Sequence, residues 1–330
     1  MTISQALISA IKKLKSKSIK TSALDAEVLL AFVLNKPKAF LYTYPEKNLT
    51  QDQLNKFQNF IKRHLKGEPI AYLRGFKEFY GLKFIVNKNV LIPRPETELL
   101  AEEVISSLRA PRRGAKQSRD CFVNRPEIKS GLFPRNDGYT IADIGTGSGC
   151  IIIALAKILP TISDKRLAIS YYATDISSTA LKVAKKNAKI HNVKIKFFQG
   201  NLLKPLKNKK IDIIIANLPY EPKKQNQSRT AETIGLKYEP SIALFAKNSG
   251  LYYYQELFKQ INRRKQKPRL ILGEIDPSQK NNIKKLAEKY LPNYQIEIKK
   301  DLAGLNRMFI LTYKKGSILS DEPYWPSPYK

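Results

Sequence analysis

The residues with the clearest chemical potential follow an apolar run, where "IDIIIA" leads into Asn217, Leu218, Pro219 and Tyr220. A planar amide or amino nitrogen is a poor nucleophile because its lone pair is delocalised, so an enzyme that alkylates it must hold and aim its N–H groups. The Asn217 side-chain carbonyl and the Leu218 main-chain carbonyl can accept those two hydrogen bonds. Pro219 stiffens the backbone, and Tyr220 offers a ring face. The tetrapeptide therefore predicts a site that grips a planar NH₂ group.

A glycine-rich turn lies between a predicted strand and a predicted helix, in the stretch "ADIGTGSGC". Glycines let a backbone pass close to a ligand, and the helix N-terminus offers free N–H groups. An acidic residue precedes the glycines at the strand tip, where it suits an ammonium or sulfonium group rather than a pyrophosphate. A plain tight turn is the alternative. The candidate cofactor-binding residues of this turn are Asp143, Gly145, Thr146, Gly147, Ser148 and Gly149.

Two further strand tips carry residues suited to a nucleoside. Asp175 ends the stretch "YYATD", where a carboxylate can accept hydrogen bonds from two ribose hydroxyls, although an ordinary helix N-cap is the alternative. Asn201 ends the stretch "FFQGN", from which it would reach an adenine edge, and Leu202 could pack on the ring. Asn217, at the tip of another strand, is also a candidate cofactor-binding residue. These residues predict a ligand that joins a nucleoside to a cationic group.

The chain before these motifs is predicted to be a helical bundle over residues 1–74. Its first segment, "MTISQALISAIKKLKSK", has apolar residues at helical spacing. The stretches Ser22–Asp25 and Thr50–Gln53 each have the pattern of a capping box that opens a helix. Residues 75–93 are rich in aromatic and β-branched residues with turn residues between them, which predicts a β-hairpin or an extended linker.

Strands and helices alternate in the rest of the chain, which we assign to one domain over residues 94–314. This alternation predicts an α/β fold with a Rossmann-like, mostly parallel sheet, right-handed crossovers and a C-terminal antiparallel hairpin. Residues 109–138 are rich in Arg, Pro and Gly without periodicity, which predicts a disordered insertion, with an RNA-binding arm as the alternative. Residues 315–330 predict an irregular tail.

The composition narrows the classes of partner and site. The formal net charge of +31 would attract RNA, ribosomes or acidic proteins, but Lys, Ile and Asn are abundant everywhere, so genome base composition is an equal explanation. Two Cys and two His leave no metal cluster and no disulfide framework, and favour a reduced, cytoplasmic location. No apolar run is long enough to span a bilayer. The Lys-rich N-terminus is interpreted as a surface helix, with a transit peptide as the alternative.

Together these motifs resemble those of class I S-adenosylmethionine-dependent methyltransferases. The tetrapeptide at Asn217 is similar to the Asn-Pro-Pro-Tyr signature of amino-group methyltransferases, which act on adenine, cytosine or glutamine nitrogens. The stretches "GEPIAYLRGFKEFYGLKF", "LIPRPETELL", "YEPSIALFAKNSGLYYY" and "KDLAGLNRMFIL" resemble the peptide chain release factor N(5)-glutamine methyltransferase family (PrmC/HemK family). The resemblance runs from the first helix to about residue 313, apart from residues 109–138.

The resemblance implies that the N-terminal domain recognises a class 1 release factor. It also implies that the C-terminal domain uses S-adenosylmethionine to methylate the Gln of the factor's Gly-Gly-Gln motif, and that the protein is a monomer. The glycine turn would wrap the methionine part of the cofactor, Asp175 would hold the ribose, and the tetrapeptide at Asn217 would hold the substrate Gln. The segment around Arg94 is expected to shape the cofactor entrance.

Two departures from the family pattern matter, at Leu218 and at Asn201. Leu218 replaces the usual first Pro, which keeps the main-chain carbonyl but leaves the loop less rigid. Asn201 replaces an acid, and its amide oxygen can still accept a hydrogen bond from adenine N6. Leu202 stands where the family often has an aromatic residue. We expect an active enzyme despite these changes.

Two other functions stay open. An adenine N6 methyltransferase acting on DNA or RNA is favoured by the basic charge, but it must flip out its base and usually carries a separate recognition region, which only the basic insertion could supply. A catalytically silent RNA- or ribosome-binding protein on a methyltransferase fold is the third possibility. The intact Asn217 and glycines argue against it.

Overall fold

The computed structural model covers most of the chain. The residues that it describes are 1–108, 138–162, 168–222, 235–247 and 250–314. The predicted insertion at 109–138 lies outside these ranges except for Gly138, and the predicted tail at 315–330 lies wholly outside them. Among the described residues, no helix combines the length and the apolar character that crossing a membrane requires.

Five helices form the N-terminal region, as the apolar spacing predicts. They are α1 (Ile3–Lys15), α2 (Ser22–Leu34), α3 (Ala39–Thr43), α4 (Gln51–His64) and α5 (Ile70–Arg74). Their shared core buries Ile3, Leu14, Leu29 and Phe57 almost completely. Burial of such a side chain contributes ~1.5–3 kcal/mol. These contacts, rather than intrinsic propensity, therefore hold the short helices in place.

One of the two predicted capping boxes forms. At the start of α4, the Gln53 N–H donates to Thr50 Oγ1 (3.2 Å) and the Thr50 N–H donates to Gln53 Oε1 (3.0 Å). The predicted box between Ser22 and Asp25 is wrong, because Ser22 is already helical and Thr21 stands at the N-cap. Thr21 Oγ1 donates a hydrogen bond to the Asp25 carboxylate (2.7 Å). Asp25 therefore accepts from a side chain instead of from a backbone N–H of the first turn.

A β-hairpin follows the helices, as predicted for this linker. It consists of β1 (Phe76–Phe79) and β2 (Leu82–Ile85), which pair antiparallel. A 3-10 turn, Pro95–Thr97, then leads into α6 (Glu98–Leu108). A proline is tolerated at such a start because the first N–H groups of a helix have no intrahelical partner. Phe79 and Phe84 of the hairpin pack into the same core as α6.

Seven strands form one mixed sheet in the described part of the chain. They are β3 (Tyr139–Ile144), β4 (Ile169–Asp175), β5 (Lys196–Gln199), β6 (Ile213–Ala216), β9 (Leu270–Glu274), β10 (Tyr294–Lys300) and β11 (Asn306–Tyr313). Their spatial order is β10-β11-β9-β6-β3-β4-β5. The five strands from β9 to β5 are parallel, while β11 and β10 are antiparallel and form one edge. The predicted sheet and its C-terminal hairpin are confirmed.

A separate short parallel pair lies outside this sheet and is not predicted from the sequence. It consists of β7 (Glu221–Pro222) and β8 (Phe245–Ala246). Two residues in each strand are too few for a periodicity to be visible.

Helices cover both faces of the large sheet. They are α6, α7 (Cys150–Ile162), α8 (Ser178–Ile190), α10 (Tyr252–Asn262) and α11 (Lys280–Tyr290), whereas the short helix α9 (Ser241–Leu244) immediately precedes β8. Strand β6 shows the two faces. Ile213 and Ile215 join the core with α6 and α7, whereas Ile214 and Ala216 join the core with α10 and α11. Burial on both sides explains why β6 is apolar throughout instead of alternating.

The strand order changes direction at β3, and this determines where a ligand can bind. From β3 the chain proceeds outward through β4 and β5, and then crosses to β6 and β9 on the other side of β3. In open α/β sheets, ligands bind in the crevice beyond the carboxyl ends of the strands at such a switch point. Asp143 near the end of β3, Asp175 at the end of β4 and Asn217 just after β6 all lie at this edge.

Candidate active site

The predicted site residues converge on one crevice at the carboxyl edge of the sheet. Those that line it are Gly145, Thr146, Gly147, Ser148, Asp175, Asn201, Leu202, Asn217, Leu218 and Pro219. Asp143, Gly149 and Tyr220 are not among the lining residues. Residues from the segments 89–97 and 240–243 also line the crevice. The sequence thus identified one continuous surface, together with three residues that support it from outside.

The glycine turn has a backbone that only glycine adopts readily. Gly145, Gly147 and Gly149 have φ angles of +74°, +55° and +80°. The Gly145 N–H donates to Thr174 O (2.9 Å), which ties the turn to β4. A Cβ at Gly147 would meet nothing within 4 Å, whereas a Cβ at Gly145 would lie 3.0 Å from the Leu218 side chain. Gly147 therefore faces open space, as the close approach of a ligand requires.

Asp143 is buried at the tip of β3, next to the glycine turn. Its Oδ2 accepts a hydrogen bond from Thr146 Oγ1 (2.6 Å), and among the described residues its Oδ1 has no hydrogen-bond partner. Burial raises the pKa of Asp143 to about 7, and the charge of Asp175 acts in the same direction. A nearby cation would stabilise the ionised form, so the unpartnered oxygen is consistent with the predicted preference for a positively charged ligand.

Asp175 ends β4, and each of its carboxylate oxygens accepts one backbone hydrogen bond. Oδ2 accepts the Gly147 N–H and Oδ1 accepts the Ser177 N–H, both at 2.9 Å. The N-cap of α8 is Ser177, whose Oγ accepts the Ala180 N–H (3.1 Å), so Asp175 is not the cap. Burial raises the pKa of Asp175, and these backbone hydrogen bonds limit the increase. Both oxygens keep further acceptor capacity toward the crevice.

Asn201 and Leu202 follow β5 at the far end of the crevice. Asn201 is exposed, while Leu202 is buried in the core that contains α10. Leu202 has a φ of +54°, a left-handed conformation that is uncommon for a residue other than glycine. The turn is held by the Leu203 N–H, which donates to Gln260 Oε1 (2.9 Å). Leu202 thus offers a fixed apolar surface beside the exposed polar side chain of Asn201.

Asn217 leaves the end of β6 with its side-chain NH₂ already engaged. Nδ2 donates to Thr97 Oγ1 (3.0 Å) and to Glu274 Oε2 (3.1 Å). No described residue donates a hydrogen bond to Asn217 Oδ1, which belongs to a side chain that lines the crevice. Its carbonyl oxygen is therefore the polar atom that Asn217 can offer to a ligand.

Leu218 supplies the second predicted carbonyl. Its side chain is buried, and among the described residues no N–H or O–H donates to its main-chain oxygen. The buried Tyr254 hydroxyl lies 3.1 Å from Ala216 O and 2.5 Å from Glu274 O, which ties the ends of β6 and β9 together. This connection between the two strand ends restrains the loop that follows β6. It supplies rigidity that a proline at position 218, usual in the family, would otherwise provide.

Tyr220 turns its hydroxyl toward the end of β9. The hydroxyl donates to Glu274 Oε1 (3.0 Å), and Tyr220 O accepts from Gln279 Nε2 (3.0 Å). Burial raises the pKa of Tyr220, and the neighbouring Glu274 carboxylate raises it further, so the phenol remains protonated. The predicted contact between the ring and a planar substrate group stays a prediction.

Glu274 and Thr97 were not predicted from the sequence as site residues. Glu274 ends β9 with 2% of its surface exposed and accepts hydrogen bonds from three side chains: Thr97 Oγ1 (2.7 Å), Asn217 Nδ2 and Tyr220 OH. An acid that closes the apolar run "LILGE" was the available signal, because it stands at a fifth strand tip of the same edge. Thr97 had no such signal within "RPETE".

A salt bridge holds the segment that we expected to shape the entrance. Arg94 Nη2 donates to Glu239 Oε1 (2.6 Å), and the Ile92 N–H donates to Glu239 Oε2 (3.0 Å). The same segment is fixed to α5 by Tyr72, whose hydroxyl donates to Val90 O (2.6 Å). Glu239 is buried, so its two hydrogen bonds offset the cost of placing a carboxylate there. Arg94 lines the crevice, in agreement with the expectation.

The described residues contain no group of three or more His, Cys, Asp or Glu side chains placed to hold a metal ion. Cys150 lines the crevice as a free, buried thiol, and burial raises its pKa to about 12, so it stays protonated.

Two family models match separate parts of the chain. Residues 5–75 match the family model of the PrmC N-terminal domain, and residues 131–237 match that of the methyltransferase small domain. A bifunctional methyltransferase of Rickettsia felis is 37% identical over 321 residues, which are 94% of this chain and 58% of that protein. The chain thus spans little more than half the length of the first curated relatives that it matches.

A second relative matches along nearly its whole length. The release factor glutamine methyltransferase of Coxiella burnetii is 36% identical over 296 residues, which are 88% of this chain and 92% of that protein. Among solved structures, the hMettl16 catalytic domain in complex with the MAT2A 3'UTR hairpin 1 aligns with a TM-score of 0.50 and 13% identity, over 90% of this chain and 95% of that one. The predicted class I methyltransferase fold is confirmed, and the chain belongs to the release factor glutamine methyltransferase family.

Proposed function

We propose that this protein transfers a methyl group from S-adenosylmethionine to the side-chain nitrogen of a glutamine in a class 1 peptide chain release factor. The observation that carries the proposal is that Asn217 and Leu218 line the crevice at the tip of β6, and that no described residue donates a hydrogen bond to Asn217 Oδ1 or to Leu218 O. A carboxamide NH₂ has two N–H groups, and each carbonyl can accept one of them. Such positioning contributes on the order of 7–11 kcal/mol in favourable cases.

The residues around the glycine turn fit S-adenosylmethionine. Gly147 leaves room for the backbone to approach a ligand, and the unpartnered Asp143 Oδ1 lies beneath the turn. Asp175 can accept the ribose hydroxyls, while Asn201 and Leu202 provide a polar edge and an apolar surface for adenine. When bound, this group supplies the methyl that is transferred. The chain's own part is to hold the two ligands and to exclude water from between them.

The substrate class is supported by the names of the relatives and by the N-terminal helices. The Coxiella burnetii protein is a release factor glutamine methyltransferase, and this chain carries both regions that the family models describe. We propose that residues 1–74 recognise the factor, that residues 75–93 link the two domains, and that residues 94–314 catalyse methylation of the Gln in the Gly-Gly-Gln motif. We also propose a monomeric protein of the cytoplasm.

Two departures from the family pattern leave the proposed roles intact. Leu218 contributes a main-chain oxygen, which does not depend on its side chain. The exposed Asn201 can present its amide oxygen to an adenine amino group, as the usual acid would.

A labelling experiment tests the proposal against the nucleic-acid alternative, which the net charge of +31 favours. The protein is incubated with methyl-labelled S-adenosylmethionine and either a class 1 release factor, the same factor with its motif Gln replaced by Ala, duplex DNA, or RNA. We expect label only on the unaltered factor. Label on DNA or RNA alone would overturn the proposal in favour of an adenine N6 methyltransferase. No label on any substrate would favour a silent binding protein.

A further inference from the structure

We infer that Glu274 is a positioning residue, which determines the direction in which the Asn217 amide presents its oxygen to the substrate. The inferred catalytic consequence rests on the proposed function, whereas the inferred orientation of the amide does not. Glu274 and Asn217 end neighbouring strands, β9 and β6, at the crevice edge.

Three described side chains form hydrogen bonds with the Glu274 carboxylate, and each of them is the donor. Thr97 Oγ1 donates to Oε2 (2.7 Å), Asn217 Nδ2 donates to Oε2 (3.1 Å), and Tyr220 OH donates to Oε1 (3.0 Å). A hydroxyl has one hydrogen, so Thr97, having given it to Glu274, meets Asn217 as an acceptor. Both hydrogens of Asn217 Nδ2 are thus engaged by acceptors of the protein itself.

This arrangement leaves the amide one satisfactory orientation. The oxygen and the nitrogen of a carboxamide have similar size, so the surrounding donors and acceptors decide which way it turns. A turned Asn217 would place its Oδ1 against an ionised carboxylate and against a Thr97 oxygen that has already donated. It would also point an NH₂ at the substrate amide NH₂, which offers no acceptor. Glu274 therefore selects the orientation that can receive the substrate.

The net shift of the Glu274 pKa is upward because burial outweighs the hydrogen bonds that favour its ionised form. Burial raises its pKa, while the hydrogen bonds from Thr97 and Tyr220 and the charge of Arg307 oppose that rise, and Glu96 adds to it. The Tyr254 hydroxyl faces the main-chain oxygen of Glu274 rather than its carboxylate. If Glu274 were protonated, one of its three donors would lose its acceptor. Glu274 can therefore select the orientation of the Asn217 amide only while its carboxylate is ionised.

Replacement of Glu274 by Gln tests the inference, because the shape is kept and the acceptor-only character is lost. The amide of Gln can donate to Asn217 and so permit the turned orientation. We expect turnover of the release factor to fall by roughly 10- to 100-fold, as for other residues that orient a ligand-binding group. The KM for S-adenosylmethionine should change little. Glu103→Gln is the matched control, since Glu103 is equally buried but pairs with Lys299 away from the crevice (2.7 Å).

Thr97 provides a second variant that leaves the buried charge in place. Thr97→Val removes the acceptor for Asn217 and should lower turnover, and Thr97→Ser, which keeps the hydroxyl, should recover most of the loss. The pH profile gives a separate readout. The wild-type kcat should fall on the acid side as Glu274 takes up a proton, and this limb should be missing or displaced in Glu274→Gln.

NMR of the Asn217 side-chain NH₂ separates this inference from the proposed function. In the wild type both protons should be protected from exchange with water, and in Glu274→Gln they should exchange faster. Equal protection in the two proteins, or wild-type turnover in Glu274→Gln, would overturn the inference while leaving the function intact. A wild-type protein that methylates no factor would overturn the function, and the exchange measurement would still decide the orientation.

Discussion

At the scale of single residues, the site is defined by polar atoms that have no hydrogen-bond partner among the described residues. They lie next to polar atoms that do have one. Asn217 has both N–H groups engaged and its Oδ1 open, and Asp143 has one oxygen engaged and one open. An open polar atom in a partly buried place is costly unless a ligand pairs with it. Asn217 Oδ1 therefore indicates where the substrate amide would lie, whereas the buried Asp143 would act on a cofactor cation through its charge and not by direct contact in the crevice.

Replacement of Asn217 by Ala should remove one of the two hydrogen bonds that hold the substrate amide. We expect kcat to fall by about 10²–10³-fold, the range observed when a single positioned hydrogen-bonding group of an active site is lost. The KM for S-adenosylmethionine should stay nearly constant. Initial rates with the release factor measure both quantities. Asn282→Ala, at an exposed position of α11, is the control. Turnover that survives in Asn217→Ala would contradict the assigned role.

Gly147 and Gly81 form a matched pair that tests the cofactor cradle. Both have positive φ (+55° and +70°), and a Cβ at either would meet no protein atom within 4 Å. Ala at either position should therefore cost about 1–2 kcal/mol of stability from backbone strain alone. Only the methyl group at Gly147 would project into the crevice, so only Gly147→Ala should weaken binding of S-adenosylmethionine, by about tenfold or more (≥1.4 kcal/mol). Thermal unfolding and titration calorimetry separate the two effects, and equal affinities would argue against the cradle.

At the scale of elements, a side chain from α8 fastens the hairpin to the glycine turn. Asn187 Oδ1 accepts the Ile85 N–H (2.8 Å), and its Nδ2 donates to Ile85 O (3.1 Å) and Ser148 O (2.9 Å). Asn187 is fully buried, so these bonds are not shared with water. The linker between the helical region and the sheet is thereby connected directly to the wall of the crevice.

The contact between α2 and α4 should make stability depend on pH. His64 Nδ1 lies 2.9 Å from Glu68 O and Nε2 lies 3.2 Å from Asp25 Oδ2, so both ring nitrogens face acceptors and the imidazolium satisfies both. Burial lowers the pKa of His64, but the hydrogen bonds with Asp25 and Glu68 outweigh it, and the net shift is upward. A raised pKa stabilises the folded state below the unfolded pKa of about 6.5. That contribution is lost as the pH rises through the folded value.

Unfolding by urea at pH 5.5 and at pH 8.5, for the wild type and for His64→Gln, measures this effect. The wild type should exceed the variant in free energy of unfolding by more at pH 5.5 than at pH 8.5. Comparison with the variant removes the contributions of other titrating groups. A difference that is constant across the two pH values would contradict the charged state of His64.

At the scale of the whole molecule, the net charge of +31 sets a background attraction to polyanions. Lys residues occur on the helices of both regions, so we expect this attraction to be spread rather than confined to one surface. The affinity for an arbitrary RNA should then fall steeply with salt, by at least about tenfold between 50 and 200 mM if several phosphates are contacted. Filter binding at several salt concentrations measures the slope.

Two double variants test whether the charge is spread. Lys207→Glu with Lys209→Glu alters a basic stretch near the crevice, and Lys12→Glu with Lys13→Glu alters α1, all at exposed positions. We expect both pairs to weaken RNA binding to a similar extent and neither to abolish labelling of the release factor. A loss confined to the first pair would instead identify a local RNA site.

By itself, the sequence determined the order of strands and helices and the polar residues at the strand tips. Those features follow from local periodicity and from glycines that need positive φ, as at Gly145 and Gly147. Local patterns failed at Ser22, where a shift of one residue moved the helix start and the predicted capping box did not form. They also could not show that Tyr220 would direct its hydroxyl to another strand.

Only the tertiary structure decided which side chains meet across the site. Thr97 and Glu274 are separated by 177 positions and share a hydrogen bond because α6, which follows Thr97, packs against β9. Asn217 meets Glu274 because β6 lies beside β9 in the sheet. Strand order is set by the packing of all the helices against both faces, which no short stretch of sequence encodes. The direction of the Asn217 amide therefore depends on the assembled sheet, even though Asn217 itself is evident from the sequence.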